Sequence, residues 1–121
     1  MLVVGLGGML GAAFRYVLGK WIMSKTSSLF PFSTWIINIS GSFALGMIAV
    51  LHAQNLIPDS LWLLMGTGFL GAYTTFSTFG YETIQMLERQ EKKNAITYVL
   101  TSVLLGILSA WVGGFLARVV A

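Results

Sequence analysis

The sequence predicts an all-α integral membrane protein of four helical spans, and three observations carry that prediction. Of 121 residues, 56% are hydrophobic and 9% charged, more apolar surface than a water-bathed domain of this size can hide. The charges are widely spaced: none falls between Lys25 and Asp59, between Asp59 and Glu82, or between Lys93 and Arg118. About 20 mostly apolar residues cross a bilayer, so each interval holds one span and the stretch before Lys25 holds another.

The spans fall at residues 2–23, 33–52, 61–87 and 95–119, joined by connections 24–32, 53–60 and 88–94. Connections this short leave a single four-span domain over residues 1–121. Trp21, Trp35 and Trp62 lie near span ends, where indole rings favour the headgroup layer. The first span has no basic start, carries Arg15 at its middle and offers no small-residue cleavage site. It is therefore expected to be a span and not a cleavable signal peptide. The second span repeats Thr34, Asn38, Ser42 and Gly46 at every fourth position, and the fourth does likewise with Ser102, Gly106, Ala110 and Gly114. With Gly7 and Gly11 in the first, these form smooth stripes that let helix backbones approach closely.

Several function classes drop out. The chain has no cysteine, which excludes disulfides and thiol chemistry. The net charge of +3 comes from loops and span ends; Lys92 and Lys93 beside Glu88 and Glu91 read as a solvated turn, with no nucleic-acid surface. His52 is the single histidine, placed at a span end as an interfacial residue. Without a second histidine, a carboxylate cluster or a Ser/His/Asp set, an enzyme is not expected.

Polar groups inside spans are expensive and need partners. Asn38 must therefore face protein or water. Arg15, midway along the first span, reads either as an anchor bonded to carbonyls or as an attractor of anions. Glu82, in the second half of the third span, reads either as a vestibule residue near the membrane edge or as part of a permeation path.

The third span contains Gly66, Gly68 and Gly71, followed by Thr74, Thr75, Ser77 and Thr78. Glycine costs ~1 kcal/mol relative to alanine in a helix interior, and Thr and Ser compete for backbone hydrogen bonds. A helix break near residues 71–75 is expected; a kinked but unbroken helix is the other reading. Irregular backbone within a membrane survives only where protein or water satisfies it. Unwound carbonyls suit a cation, and half-helix N-termini suit an anion. Beyond the break, Phe76 and Phe79 share a face, as do Thr75, Thr78 and Glu82, with Ser77 between. Two phenylalanines at this spacing are ordinarily packing. A wall of hydroxyl donors and the positive edges of aromatic rings also suits a small, hard anion, held weakly enough to move on.

The run Gly71-Ala72-Tyr73-Thr74-Thr75-Phe76-Ser77-Thr78-Phe79 resembles the G-[GA]-x-[ST]-T-F-S-T-F signature of the Fluc (also called CrcB) fluoride channels. Gly11-Ala12-Ala13-Phe14-Arg15-Tyr16 is similar to that family's first-span motif, and Trp35-Ile36-Ile37-Asn38 with Gly41 to its second. Glu82, three after Phe79, fits as well.

The resemblance implies a passive fluoride channel in the inner membrane of a prokaryote. It implies an antiparallel, dual-topology homodimer with two pores flanking a two-fold axis. A structural sodium ion on that axis would be held by the backbone carbonyls of Gly71 and Thr74. Phe76 and Phe79 would offer ring edges to fluoride, Asn38 an amide donor, and Ser77 and Thr78 a hydroxyl track. Tyr98 and Ser102 would line the same path, and Arg15 and Glu82 would serve as vestibule or structural charges. The loop charges pull the other way: Lys20, Lys25, Arg89, Lys92 and Lys93 lie at one end and Arg118 alone at the other. The positive-inside rule by itself then favours one orientation with both termini outside. Two further readings stand beside the channel. A small four-span proton-coupled antiporter would need an intramembrane carboxylate, typically in the first span, where Arg15 stands instead. An assembly subunit would need no polar path.

Overall fold

The computed structural model describes residues 1–26 and 30–120, and among them all regular structure is helical. Ser27, Ser28 and Leu29, part of the expected first connection, lie outside the described residues. Three helices are long and apolar enough to cross a membrane: α1 (Leu2–Ser24), α2 (Phe32–Ala53) and α5 (Lys92–Val120). The last begins three residues ahead of the span expected at Ala95. Lys92 and Lys93 interrupt the apolar run but are good helix formers, so the hydrogen-bonded helix outlasts its apolar part.

The stretch expected as the third span is a bent helix in two halves. The first, α3, comprises Asp59–Leu61, Trp62–Leu70 and Gly71–Tyr73 in unbroken succession. Its middle piece is wound wide, with i to i+5 bonding such as Gly71 N–H to the Gly66 carbonyl, a form usually confined to single turns at functional sites. Thr74 then turns extended, at φ −79° and ψ 158°. Phe76 returns to helical angles, φ −94° and ψ −36°, and the second half-helix, α4, runs Ser77–Glu88. The interruption therefore occupies residues 74–76. It sits later than the glycines suggested: Gly71 is helical, at φ −61° and ψ −36°. Side chains that capture backbone groups break this helix, and glycine's conformational freedom is not what does it.

Two close crossings organise the bundle. A Cβ at Gly11 would overlap the Phe69 carbonyl oxygen, and one at Gly46 the Ala110 carbonyl. The glycines therefore set the α1–α3 and α2–α5 distances. Beneath the break lies a cluster of Ile37, Leu70 and Tyr73, with Leu18 and Phe69 packed on it, and the Tyr73 hydroxyl meets Ser40 Oγ at 2.9 Å. A second cluster joins α4 to α5 through Met86, Ala95 and Tyr98. Trp35 Nε1 donates to Thr101 Oγ1 at 2.9 Å and pins α2 to α5.

The outer faces of α1 and α5 expose Leu6, Met9, Leu10, Leu104, Ile107 and Trp111. Lipid is as apolar as these side chains, so burying them gains nothing in a bilayer; contact between helices rests on packing and hydrogen bonds. At the α2–α3 turn, His52 Nε2 lies 2.7 Å from Asp59 Oδ1. The imidazole also stacks on Trp62, 5.1 Å between ring centres at 8°. His52 thus closes a turn at the span end.

Candidate anion groove at the third-span break

The break is held by one side chain from another helix. Thr75 N–H donates to Asn38 Oδ1 at 2.9 Å, and Asn38 Nδ2 donates back to the Thr75 carbonyl at 2.8 Å. A carboxamide pairs with a peptide unit in this reciprocal way because each offers one donor and one acceptor. Asn38 stands one helical turn from Gly41, where a Cβ would collide with Thr74 Cγ2. The missing side chain at Gly41 lets the break settle onto α2. A second capture follows at the start of α4, where Thr78 N–H donates to Thr75 Oγ1 at 3.3 Å, one of the first-turn amides that a helix start leaves without an intrahelical partner.

These captures free particular carbonyls. In a continuous helix, Thr75 N–H would bond to the Gly71 carbonyl and Thr78 N–H to that of Thr74. Both amides are bonded to side-chain oxygens instead. Gly71 and Thr74 are thereby left with carbonyl oxygens that lack their helical donors.

A groove of about 300 Å³ opens beside the break, lined by residues that include Asn38, Ser42, Thr75, Phe76, Phe79 and Ser102. Its hydroxyls differ in what they have to offer. Ser42 donates to the Asn38 carbonyl at 2.8 Å, Thr74 to the Leu70 carbonyl at 2.9 Å, and Thr75 to Thr78 Oγ1 at 3.2 Å. Ser102 Oγ is buried with no hydrogen-bond partner among the described residues, although buried hydroxyls are ordinarily paired. The donors left over are the Ser102 hydroxyl and the second Nδ2 hydrogen of Asn38. Phe76 is 83% exposed and tilts against Phe79, 6.0 Å between ring centres. Two phenylalanine rings and two spare donors are the chemistry that this groove has to offer a guest.

The structure divides the residues singled out from the sequence. Asn38, Phe76, Phe79 and Ser102 come together in the groove, with Thr74 at its edge. Ser77 and Thr78 stay exposed on α4, outside that lining, their hydroxyls turned toward Thr75. Tyr98 is fully buried behind Phe79, 5.0 Å between ring centres, and donates to Glu82 Oε1 at 3.1 Å. Glu82 also lines a separate cavity of about 190 Å³ at the end of α4, with Gln85, Arg89 and Phe32. Arg15 is half-buried on α1 and makes no ion pair among the described residues. Ser42 is a groove residue that the sequence marked only as part of a small-residue stripe. Its position one turn after Asn38 was the available signal.

Fold and groove together define a multi-pass α-helical membrane protein with three helices long and apolar enough to span and a bent helix interrupted by polar backbone. The chain belongs to the CrcB family: the family model described as CrcB-like protein, Camphor Resistance (CrcB), matches residues 2–114. It is 45% identical over 112 residues to the fluoride-specific ion channel FluC 2 of Moorella thermoacetica, covering 93% of this chain and 91% of that one. It is 43% identical to FluC 2 of Clostridium acetobutylicum, with 96% of each chain covered. It is also 43% identical to FluC 1 of Ligilactobacillus salivarius, covering 98% of this chain and 99% of that one.

Proposed function

We propose that this protein is a fluoride channel that lets the anion leave the cytoplasm passively, and that it is not an enzyme. Relatives along nearly the whole chain carry the name fluoride-specific ion channel. The observation that carries the reading in this chain is the buried Ser102 hydroxyl, without a partner among the described residues, in a groove walled by Phe76 and Phe79. A small anion takes hydrogen-bond donors and ring edges, and without a fixed positive charge it is not trapped. Fluoride accumulates inside a cell because its neutral acid crosses the membrane and dissociates. The membrane potential then drives the anion outward through an open path.

The working unit in this reading is an antiparallel homodimer of dual topology in the inner membrane of a prokaryote. A second copy would supply the wall that the exposed Phe76 lacks. Sodium fits the break: carbonyls deprived of their helical donors coordinate Na⁺, and Gly71 and Thr74 carry such carbonyls. Bound there, the ion would supply positive charge that ties half-helices together. An antiporter has no support, since Arg15 occupies the span where its carboxylate would stand and the relatives are named as channels.

The test is efflux from proteoliposomes loaded with both halides and followed with fluoride and chloride electrodes. Fluoride release with chloride retained is expected. Retention of fluoride in the presence of a permeant counter-ion overturns the proposal.

A further inference from the structure

Asn38 belongs to the groove, yet both side-chain hydrogen bonds it makes among the described residues go to backbone. Its Oδ1 takes the Thr75 N–H at 2.9 Å, and its Nδ2 holds the Thr75 carbonyl at 2.8 Å. The two residues are 37 positions apart, so this pair is a tertiary clamp and not a local turn. Its consequence falls on a third residue. The amide that Asn38 holds is the one that would close the next helical turn onto the Gly71 carbonyl.

Thr74 cannot prevent that closure alone. Its own hydroxyl is bonded back to the Leu70 carbonyl at 2.9 Å, and its N–H donates to the same oxygen at 3.0 Å, bonds compatible with a helix that continues. An acceptor is needed at Thr75, and α2 delivers it at a level fixed by Gly41, which has no room for a side chain.

We propose that Asn38 is a positioning residue for cation binding: by holding the Thr75 amide, its Oδ1 keeps the Gly71 carbonyl out of the helical ladder and open to sodium. The inference rests on the sodium reading given above and adds the side chain on which the ligand carbonyl depends. Oxygen Oδ1 serves the cation site, while the spare Nδ2 hydrogen serves the anion groove. A single amide thereby joins the two.

The experiment measures thermal unfolding of the purified full-length protein in detergent, titrating NaCl against N-methylglucamine chloride at constant ionic strength. Wild type and the N38A and N38D variants are compared. Removing a group that orients a ligand usually weakens metal binding by ~10–100-fold. N38A is therefore expected to need at least tenfold more sodium for half its stabilisation, and to recover toward wild-type behaviour at high sodium. N38D keeps an oxygen for the Thr75 amide but turns the donor into an acceptor and adds negative charge, so its sodium requirement should stay at or below that of wild type while fluoride efflux falls. If wild type responds to sodium and N38A responds at the same concentration, the positioning role is refuted and the sodium site stands. If N38D shifts as far as N38A, the oxygen is not the working atom. A wild type indifferent to sodium removes both readings together.

Discussion

Tyr98 donates its phenolic hydrogen to Glu82 Oε1 across 3.1 Å, linking α5 to the second half of the third span one turn beyond Phe79. The phenol ring is fully buried and packs between Phe79 and Phe30, with ring centres at 5.0 and 5.5 Å. Thr34, itself buried, lies against the same carboxylate. The bond therefore fixes the face of α4 that carries Phe79 into the groove. Replacing Tyr98 by phenylalanine keeps the ring and leaves a half-buried carboxylate short of a donor. We expect Y98F to lower stability by about 1–3 kcal/mol, the usual cost of unpairing such a group, read by thermal unfolding in detergent. Efflux of fluoride should fall in parallel. A variant with wild-type stability would show that Glu82 is satisfied without the phenol.

The two phenylalanines can be separated by where they sit. Phe76 is 83% exposed, so F76I removes little contact within one chain. Phe79 packs on Tyr98, so F79I costs stability as well. Both should reduce fluoride efflux at least tenfold, equivalent to about 1.4 kcal/mol of barrier. F79I should lower the unfolding temperature further than F76I, because it also loses its packing on Tyr98 within the chain. Normal efflux through both variants would reduce the rings to packing.

Ser102 offers a prediction in which stability and transport move apart. Its hydroxyl is buried without a partner among the described residues, so S102A removes an unsatisfied group and should leave stability unchanged or raise it by up to about 1 kcal/mol. Transport should drop, because the groove loses one of its two spare donors. A variant less stable than wild type would mean that the hydroxyl has a partner within the fold.

Helix spacing can be tested at two glycines of α1. A Cβ at Gly11 would overlap the Phe69 carbonyl, whereas one at Gly5 meets nothing within 4 Å. G11V should destabilise by about 1–3 kcal/mol or more through overpacking. G5A should stabilise by up to about 1 kcal/mol through helix propensity alone. Equal effects at the two sites would contradict the α1–α3 crossing.

Orientation is open to a direct assay because the chain has no cysteine. Single cysteines at Gln54 and Lys93 would mark opposite ends of the bundle. Dual insertion predicts that an impermeant maleimide labels part of each population from outside intact cells. The loop charges, with five basic residues at one end and Arg118 at the other, predict unequal shares. Labelling confined to one site would exclude an antiparallel dimer of identical chains.

What the sequence determined by itself was the class of protein. Long uncharged intervals set the spans, since a bilayer of fixed thickness measures helix length directly. The glycine and hydroxyl run marked the third span as the place where a helix would fail, because those residues compete with its ladder locally. The tertiary structure decided where it fails and which polar atoms are left to work. Gly71 stays helical and Thr74 turns because Thr75's amide is taken by Asn38, a partner 37 residues away that no local pattern reveals. The same holds for the donors. Ser77, Thr78 and Ser102 look equivalent as hydroxyls in a span, but of the three Ser102 alone is buried in the groove with no partner among the described residues. Hydrogen bonds between helices saturate some groups and leave others free, and that accounting exists only once the helices are packed.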